Sequence, residues 1–308
     1  MTFKKALIVA VKTALTAFVL YFVVRQVVVN WSEIRQQEWH FNYAYLLLSV
    51  LAALGSFAVF AATWRKIIAG FGHEVSAPMA FKISYLSNLA RYIPGKVWQV
   101  FGMLYLAGQA GVTAEAAGAS FVISEMFAIP ASFLVFVLAA FVEPLVLTEQ
   151  VAVLGRGSAW LMVIGLLALC ALLVLYPQPL LKVGNWLLVK IGRPPVKFTL
   201  DKKVALVILV GYFLGWIAQG IAFWFFLLAV LPEQSPGVVA AAGIYNGAYQ
   251  IGYVMIFAPG GFGPRELVLG TLLSPYVGAV APALALLVRL WSLVVETAAA
   301  LAAAAIRK

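Results

Sequence analysis

Residues 91–99 read Arg91-Tyr92-Ile93-Pro94-Gly95-Lys96-Val97-Trp98-Gln99, and residues 258–266 read Ala258-Pro259-Gly260-Gly261-Phe262-Gly263-Pro264-Arg265-Glu266. Each places a Pro-Gly step and charged side chains near the middle of an apolar stretch, about 80–108 and about 237–275. Proline removes a helical hydrogen bond, and glycine permits a sharp reversal. Backbone groups freed in this way are tolerated at membrane depth only where protein or a wet cavity satisfies them. Both stretches are therefore expected to be re-entrant hairpins that enter a bilayer and return. The arm 237–258 is also long enough to span it.

The remainder of the chain calls for a bilayer. Of 308 residues, 64% are apolar and 10% charged, with a mean hydropathy of +1.02, against about half and about a quarter in soluble domains. A water-soluble globule is excluded, as are disordered and collagen-like chains. Cys170 stands alone, which excludes a disulfide framework and a cysteine-rich zinc site. His40 and His73 leave little for histidine chemistry, and no metal or cofactor is expected. The alternation of a β-barrel is absent. Continuous apolar runs of crossing length point instead to an all-α, polytopic helical membrane protein. Six full spans are expected, at about 7–29, 43–63, 116–141, 159–176, 204–231 and 278–306, the first read as a retained helix.

The charges set the expected direction. The segment 177–203 carries Lys182, Lys190, Arg193, Lys197, Lys202 and Lys203 against Asp201 alone, which places it inside by the positive-inside rule. Lys4, Lys5, Arg307 and Lys308 place both termini inside too, while Glu143, Glu149 and Glu233 mark outer loops. The net charge of +10 is thus assigned to topology and anionic lipid, with no nucleic-acid partner. The two hairpins then enter from opposite faces.

Pro94 and Pro259 lie 165 residues apart, and each precedes a long helix bearing a charge, Glu125 in one case and Arg289 in the other. Matching Gly/Pro breaks in halves of opposite direction point to a transporter's midplane site. One transmembrane domain built from half-repeats, about 1–150 and 151–308, is expected.

Ionisable groups inside a bilayer persist where they face a cavity or a partner. Lys82, Arg91, Lys96, Arg265 and Glu266 fall on the hairpins; Glu125, Arg289 and Glu296 fall in long helices. As a site, they would accept a lipid phosphate: arginine offers a planar fork and lysine a point charge. Gln99 and the hairpin turns Pro94, Gly95, Pro259, Gly260, Gly261 and Gly263 complete the candidate site, the glycines adding backbone N–H donors. As structure, the same charges would pair across the hairpins, Glu125 with Arg289 and Glu266 with a nearby arginine. Glu296 lies two turns from Arg289, too far to pair with it. Asn246, Tyr249, Gln250 and Tyr253 either line a cavity or bond across helices. Gly211-x3-Gly215 and Gly243-x3-Gly247 suit close helix packing.

The two quoted stretches, in this order and spacing, resemble the signature stretches of the lysylphosphatidylglycerol synthase transmembrane-region family, the flippase-like domain of multiple-peptide-resistance proteins. Pro94, Gly95, Pro259, Gly260, Gly263, Arg265 and Glu266 match motif positions, while Pro264 departs slightly. The resemblance implies a domain that moves lipids between leaflets of a bacterial or archaeal cytoplasmic membrane. The soluble synthase domain is not part of the match, so lysyl transfer is not implied and no enzyme activity is expected. The leading expectation is a lipid flippase working without ATP, since no phosphate-binding Walker motif is present. The alternatives are an accessory protein that presents a lipid-linked substrate to a glycosyltransferase or lipid-synthesis partner, and a membrane-embedded lipid-modifying enzyme.

Overall fold

The computed structural model describes residues 25, 28, 29, 31–37, 39–92, 97–146, 155–176, 178, 182, 186, 189, 190, 198, 200–255 and 261–306. Among these the secondary structure is helical throughout. The helices are α1 (Trp31–Gln36), α2 (Tyr43–Gly70), α3 (Ala77–Asn88), α4 (Val97–Gln109), α5 (Ala114–Val142), α6 (Gly155–Leu175), α7 (Lys202–Val230), α8 (Val238–Val254), α9 (Pro264–Val277) and α10 (Ala281–Ala305), with a 3-10 turn at Leu89–Tyr92. Most of the first expected span, the basic segment 177–203, Glu149, and the turn residues Pro94, Gly95, Lys96, Pro259 and Gly260 lie outside or largely outside the described residues.

The long helices begin where short polar side chains satisfy their first N–H groups. Asn42 Oδ1 accepts from Ala44 and Tyr45 at 3.0 and 3.2 Å, Thr113 Oγ1 from Ala116 at 3.3 Å, and Asp201 Oδ1 from Val204 at 2.7 Å. Four helical runs are long and apolar enough to cross a membrane: Tyr43–Gly70, Ala114–Val142, Lys202–Val230 and Pro264–Ala305. The last, 42 residues long, is not one rod. Gly278 adopts φ +59°, a conformation suited to glycine, and α9 folds back along α10. Arg265 meets Ser292, Glu266 meets Arg289, and Gly270 faces Pro282. The expected span at 278–306 therefore starts as a turn, and its helix begins at Ala281. The expected span at 159–176 falls on α6, Gly155–Leu175, whose 21 residues come to about 31 Å at 1.5 Å per residue, close to the roughly 30 Å hydrocarbon core.

Three antiparallel pairs position the centre of the molecule. Along α2 and α7, Thr63 and Phe60 press where Gly211 and Gly215 lack a side chain, and Ser56 bonds Gln219. Along α5 and α8, Ala139 and Phe136 occupy the space left by Gly243 and Gly247. Both Gly-x3-Gly pairs thus act as contact faces. α3 and α4 pack together about the segment 93–96, with Gly102 against Ser87. Each arm is 12–13 residues, about 18–20 Å. α8 is buried from Ala240 to Ala248, so protein rather than lipid surrounds that stretch. Advancing α3, α4 and α5 by the 165 positions that separate Pro94 from Pro259 places them on α8, α9 and α10 to within about five residues, and α2 on α7 less closely.

The outer surface is apolar in stripes at helical spacing. Leu47 and Leu51 on α2, Val210 and Leu214 on α7, and Leu290, Val294 and Leu301 on α10 are all exposed. Exposed leucine and valine faces of this extent mark contact with something apolar, and a bilayer supplies it for helices of this length.

A buried ionic cluster beside an aromatic cavity

The fold gathers charged side chains from distant parts of the sequence. Arg91, in the 3-10 turn after α3, forms an ion pair with Glu296 of α10, 205 residues away, and donates to Tyr249 Oη at 2.9 Å. Arg289 NH1 lies 3.6 Å from Glu266 Oε1, and its guanidinium sits 4.1 Å from the centre of the Phe262 ring. All four ion-pair members are at least nine-tenths buried. Buried ions are held only where partners replace water, and each of these has found one of opposite sign.

Glu266 has a second task. At the third position of α9, its Oε2 accepts the N–H of the N-cap Gly263 at 2.6 Å, satisfying a helix-start donor. Pro264 at the first helical position has no N–H to satisfy. The sequence Gly263-Pro264-Arg265-Glu266 is thus a helix start, and it fixes the direction in which Arg265 leaves the backbone.

Arg265 is held differently. It donates to Ser292 Oγ at 3.1 Å and lies over the rings of Tyr245 and Tyr249, at 5.1 and 4.9 Å. Among the described residues no carboxylate lies within ion-pair distance of it. A cation on aromatic faces is stabilised by the ring quadrupoles while its N–H fork stays available. The approach of α8 that brings these rings close depends on Gly252, where a Cβ would stand 2.6 Å from Cβ of Arg265. Gly261, at φ +74°, lies against the Gly252 backbone, with a Cβ there only 3.2 Å from the Gly252 carbonyl oxygen.

Arg91 and Arg265 line one cavity of about 150 Å³, together with Gln99, Tyr249, Tyr253 and the Gly252–Gly261 contact; no acidic side chain among the described residues lines it. It adjoins a cavity of about 170 Å³ that shares Arg91, Gln99, Phe121, Tyr249 and Tyr253 and continues past Gln250, Glu125 and Glu296 to Trp216 and Gln219.

The candidate residues thus separate. Arg91, Gln99, Arg265, Glu125 and Glu296 line the cavities, whereas Glu266 and Arg289 lie behind Arg265 as a paired support. The carboxylate beside Arg289 is Glu266, and that beside Arg91 is Glu296. Lys82 belongs to neither group: its Nζ donates to the Ile306 carbonyl at 2.6 Å, at the end of α10. Tyr249, Gln250 and Tyr253 line the cavity, and Asn246 bonds across helices to Ser132 at 2.9 Å and the Trp216 carbonyl at 3.1 Å. Sequence reasoning missed Tyr245, Gln219 and Ser292. Their spacing offered a signal, since Tyr245, Tyr249 and Tyr253 recur every fourth residue on one helix face.

Long apolar helices, lipid-like outer stripes and an ionised interior define a polytopic helical membrane protein with a buried polar cavity. The family model described as "Lysylphosphatidylglycerol synthase TM region" matches residues 9–300, and the chain belongs to that family. No curated protein matched the chain.

Proposed function

We propose that this protein moves a phosphate-bearing lipid between the leaflets of a cytoplasmic membrane without ATP. The observation that carries the reading is the pairing of Arg91 and Arg265 on one buried cavity that no acidic side chain among the described residues lines. A phosphate monoester or diester is an anion that matches the guanidinium fork, and burial strengthens the contact. Arg265 meets the phosphate without first giving up a carboxylate; Arg91 exchanges Glu296 for it.

In this reading the segments around 93–96 and 256–260 are the tips of two re-entrant hairpins. The arms α3 and α4 are each too short to cross, and the middle of α8 is enclosed by protein, which favours the hairpins. The 165-residue correspondence of elements, with α2 and α7 antiparallel, favours an inverted repeat of halves at about 1–150 and 151–308. Both termini and the loop around Arg193 face the cytoplasm, following the loop charges.

The test is lipid movement by the purified protein in vesicles carrying a fluorescent phosphatidylglycerol, read by quenching from outside. Wild-type protein is expected to render more than the outer-leaflet half quenchable. Arg265→Gln abolishes this, and Arg265→Lys restores part, because a point charge lacks the two-pronged contact. Movement no faster than in protein-free vesicles overturns the reading.

A further inference from the structure

The larger cavity, which Arg91, Glu125 and Glu296 also line, carries a set of neutral polar groups on its aromatic walls. Tyr245 Oη accepts from Gln219 Nε2 at 3.0 Å, and Tyr249 Oη accepts from Arg91 NH1 at 2.9 Å. A phenol that accepts still has its own O–H to donate, and no acceptor for either O–H is found among the described residues. Gln219 is held in orientation by Ser56, so its amide N–H stays aimed at Tyr245. Gln250, 1% exposed, lines the same cavity, and its Oε1 is buried without a hydrogen-bond partner. A buried acceptor of that kind costs free energy until a donor arrives.

The wall therefore offers O–H donors and a carbonyl acceptor together. An ammonium group can only donate, and an ionised phosphate can only accept. A hydroxyl does both. The Trp216 ring stands 5.0 Å from that of Tyr249, giving apolar faces against which the C–H edges of a saturated ring can lie. The volume, about 170 Å³, suits one six-membered ring, since a cavity of about 150 Å³ admits benzene.

We propose that this cavity receives the hydroxyl-bearing ring, a sugar or cyclitol, of a lipid whose phosphate sits between Arg91 and Arg265. The proposal rests on the lipid-transport reading for the phosphate. It adds the chemistry of the head group.

The test is binding to the full-length protein in detergent, titrated by native mass spectrometry with short-chain phosphatidylinositol, phosphatidic acid and phosphatidylethanolamine. Phosphatidylinositol is expected to bind about ten-fold more tightly than the other two. Gln250→Leu and Tyr245→Phe should each narrow that preference to about two- to three-fold, whereas Gln250→Glu, which keeps an acceptor, retains it. Tyr245→Phe deletes one oxygen and serves if Gln250→Leu fails to fold. Arg265→Gln should weaken all three lipids alike. If wild-type protein binds all three equally, or Gln250→Leu and Tyr245→Phe keep the full preference, the head-group proposal is overturned while the phosphate reading stands. A preference for phosphatidylethanolamine assigns the cavity to a cation and overturns the proposal. Displacement of the lipid by inositol 1-phosphate at equal concentration overturns it in favour of a soluble ligand. If no lipid binds and Arg265→Gln changes nothing, both readings fall.

Discussion

Arg289→Gln separates support from site. The change leaves Glu266, 3% exposed, without the cation that lies 3.6 Å from its Oε1. At an effective dielectric of about 20, that separation corresponds to about 4–5 kcal/mol of attraction. Removing one member of a buried ion pair in soluble proteins costs about 3–5 kcal/mol. Oε2 of Glu266 keeps the Gly263 N–H at 2.6 Å, so the lower end, about 3 kcal/mol, is expected. At the ~2–4 °C per kcal/mol typical of soluble domains of 150–250 residues, the apparent melting temperature in detergent falls by about 6–12 °C. Adding Glu266→Gln removes the orphaned charge and returns most of the loss. Arg265→Gln leaves no carboxylate unpaired; it loses the Ser292 bond and two ring contacts, together about 1–2 kcal/mol. Thermal shift on wild type and the three purified variants, at equal detergent and lipid content, measures this. The reasoning is refuted if Arg289→Gln melts within two or so degrees of wild type, or if Arg265→Gln melts as low as Arg289→Gln.

Gly252→Ala places a methyl 2.6 Å from Cβ of Arg265; it is expected to slow lipid movement strongly with a smaller loss of melting temperature, read by vesicle assay and thermal shift side by side. Asn246→Leu strips partners from the Ser132 hydroxyl and the Trp216 carbonyl, so a loss of about 1–3 kcal/mol is expected in a reversible denaturation assay. In a Cys170→Ser background, Glu149→Cys should label from outside intact cells with an impermeant maleimide and Arg193→Cys only after permeabilisation; equal labelling sinks the orientation.

The helices were legible because an apolar run of crossing length has few other outcomes. The Gly-x3-Gly pairs were legible as contact faces because a missing side chain is a local, periodic signal. Boundaries moved where a local device decided them. The helix expected from Thr63 backward runs on to Gly70, and the one expected from Gly278 waits until Ala281, because the positive φ of Gly278 makes a turn. That Glu266 would pair with an arginine was legible, but the identity of that arginine and the partner of Glu296 were not. Which guanidinium faces Glu266 depends on how α9 and α10 rotate against each other, and the sequence neighbour Arg265 points to the tyrosines instead. Glu296 meets Arg91 across 205 positions, beyond any spacing rule. Lys82 sits among the hairpin charges in the sequence, yet serves the end of α10. The neutral members, Tyr245, Gln219 and Ser292, carry no charge to stand out within apolar helices.

The Arg91–Glu296 pair also has a consequence during synthesis. The two residues leave the ribosome 205 positions apart, which at about 5–20 residues per second is an interval of about 10–40 s. Through that interval α3 and α4 are already made while Glu296 does not yet exist. An arginine without a carboxylate is costly in hydrocarbon, so the α3–α4 arm must wait in the wet interface or against the insertion machinery. Docking of α10 then brings three ties at once: Glu296 to Arg91, Trp291 Nε1 to Ser49 at 3.0 Å, and the terminal Ile306 carbonyl to Lys82. The last helix is the clasp of the assembly, and a nascent chain arrested before residue 281 should leave the α3–α4 arm open to protease where the finished protein protects it.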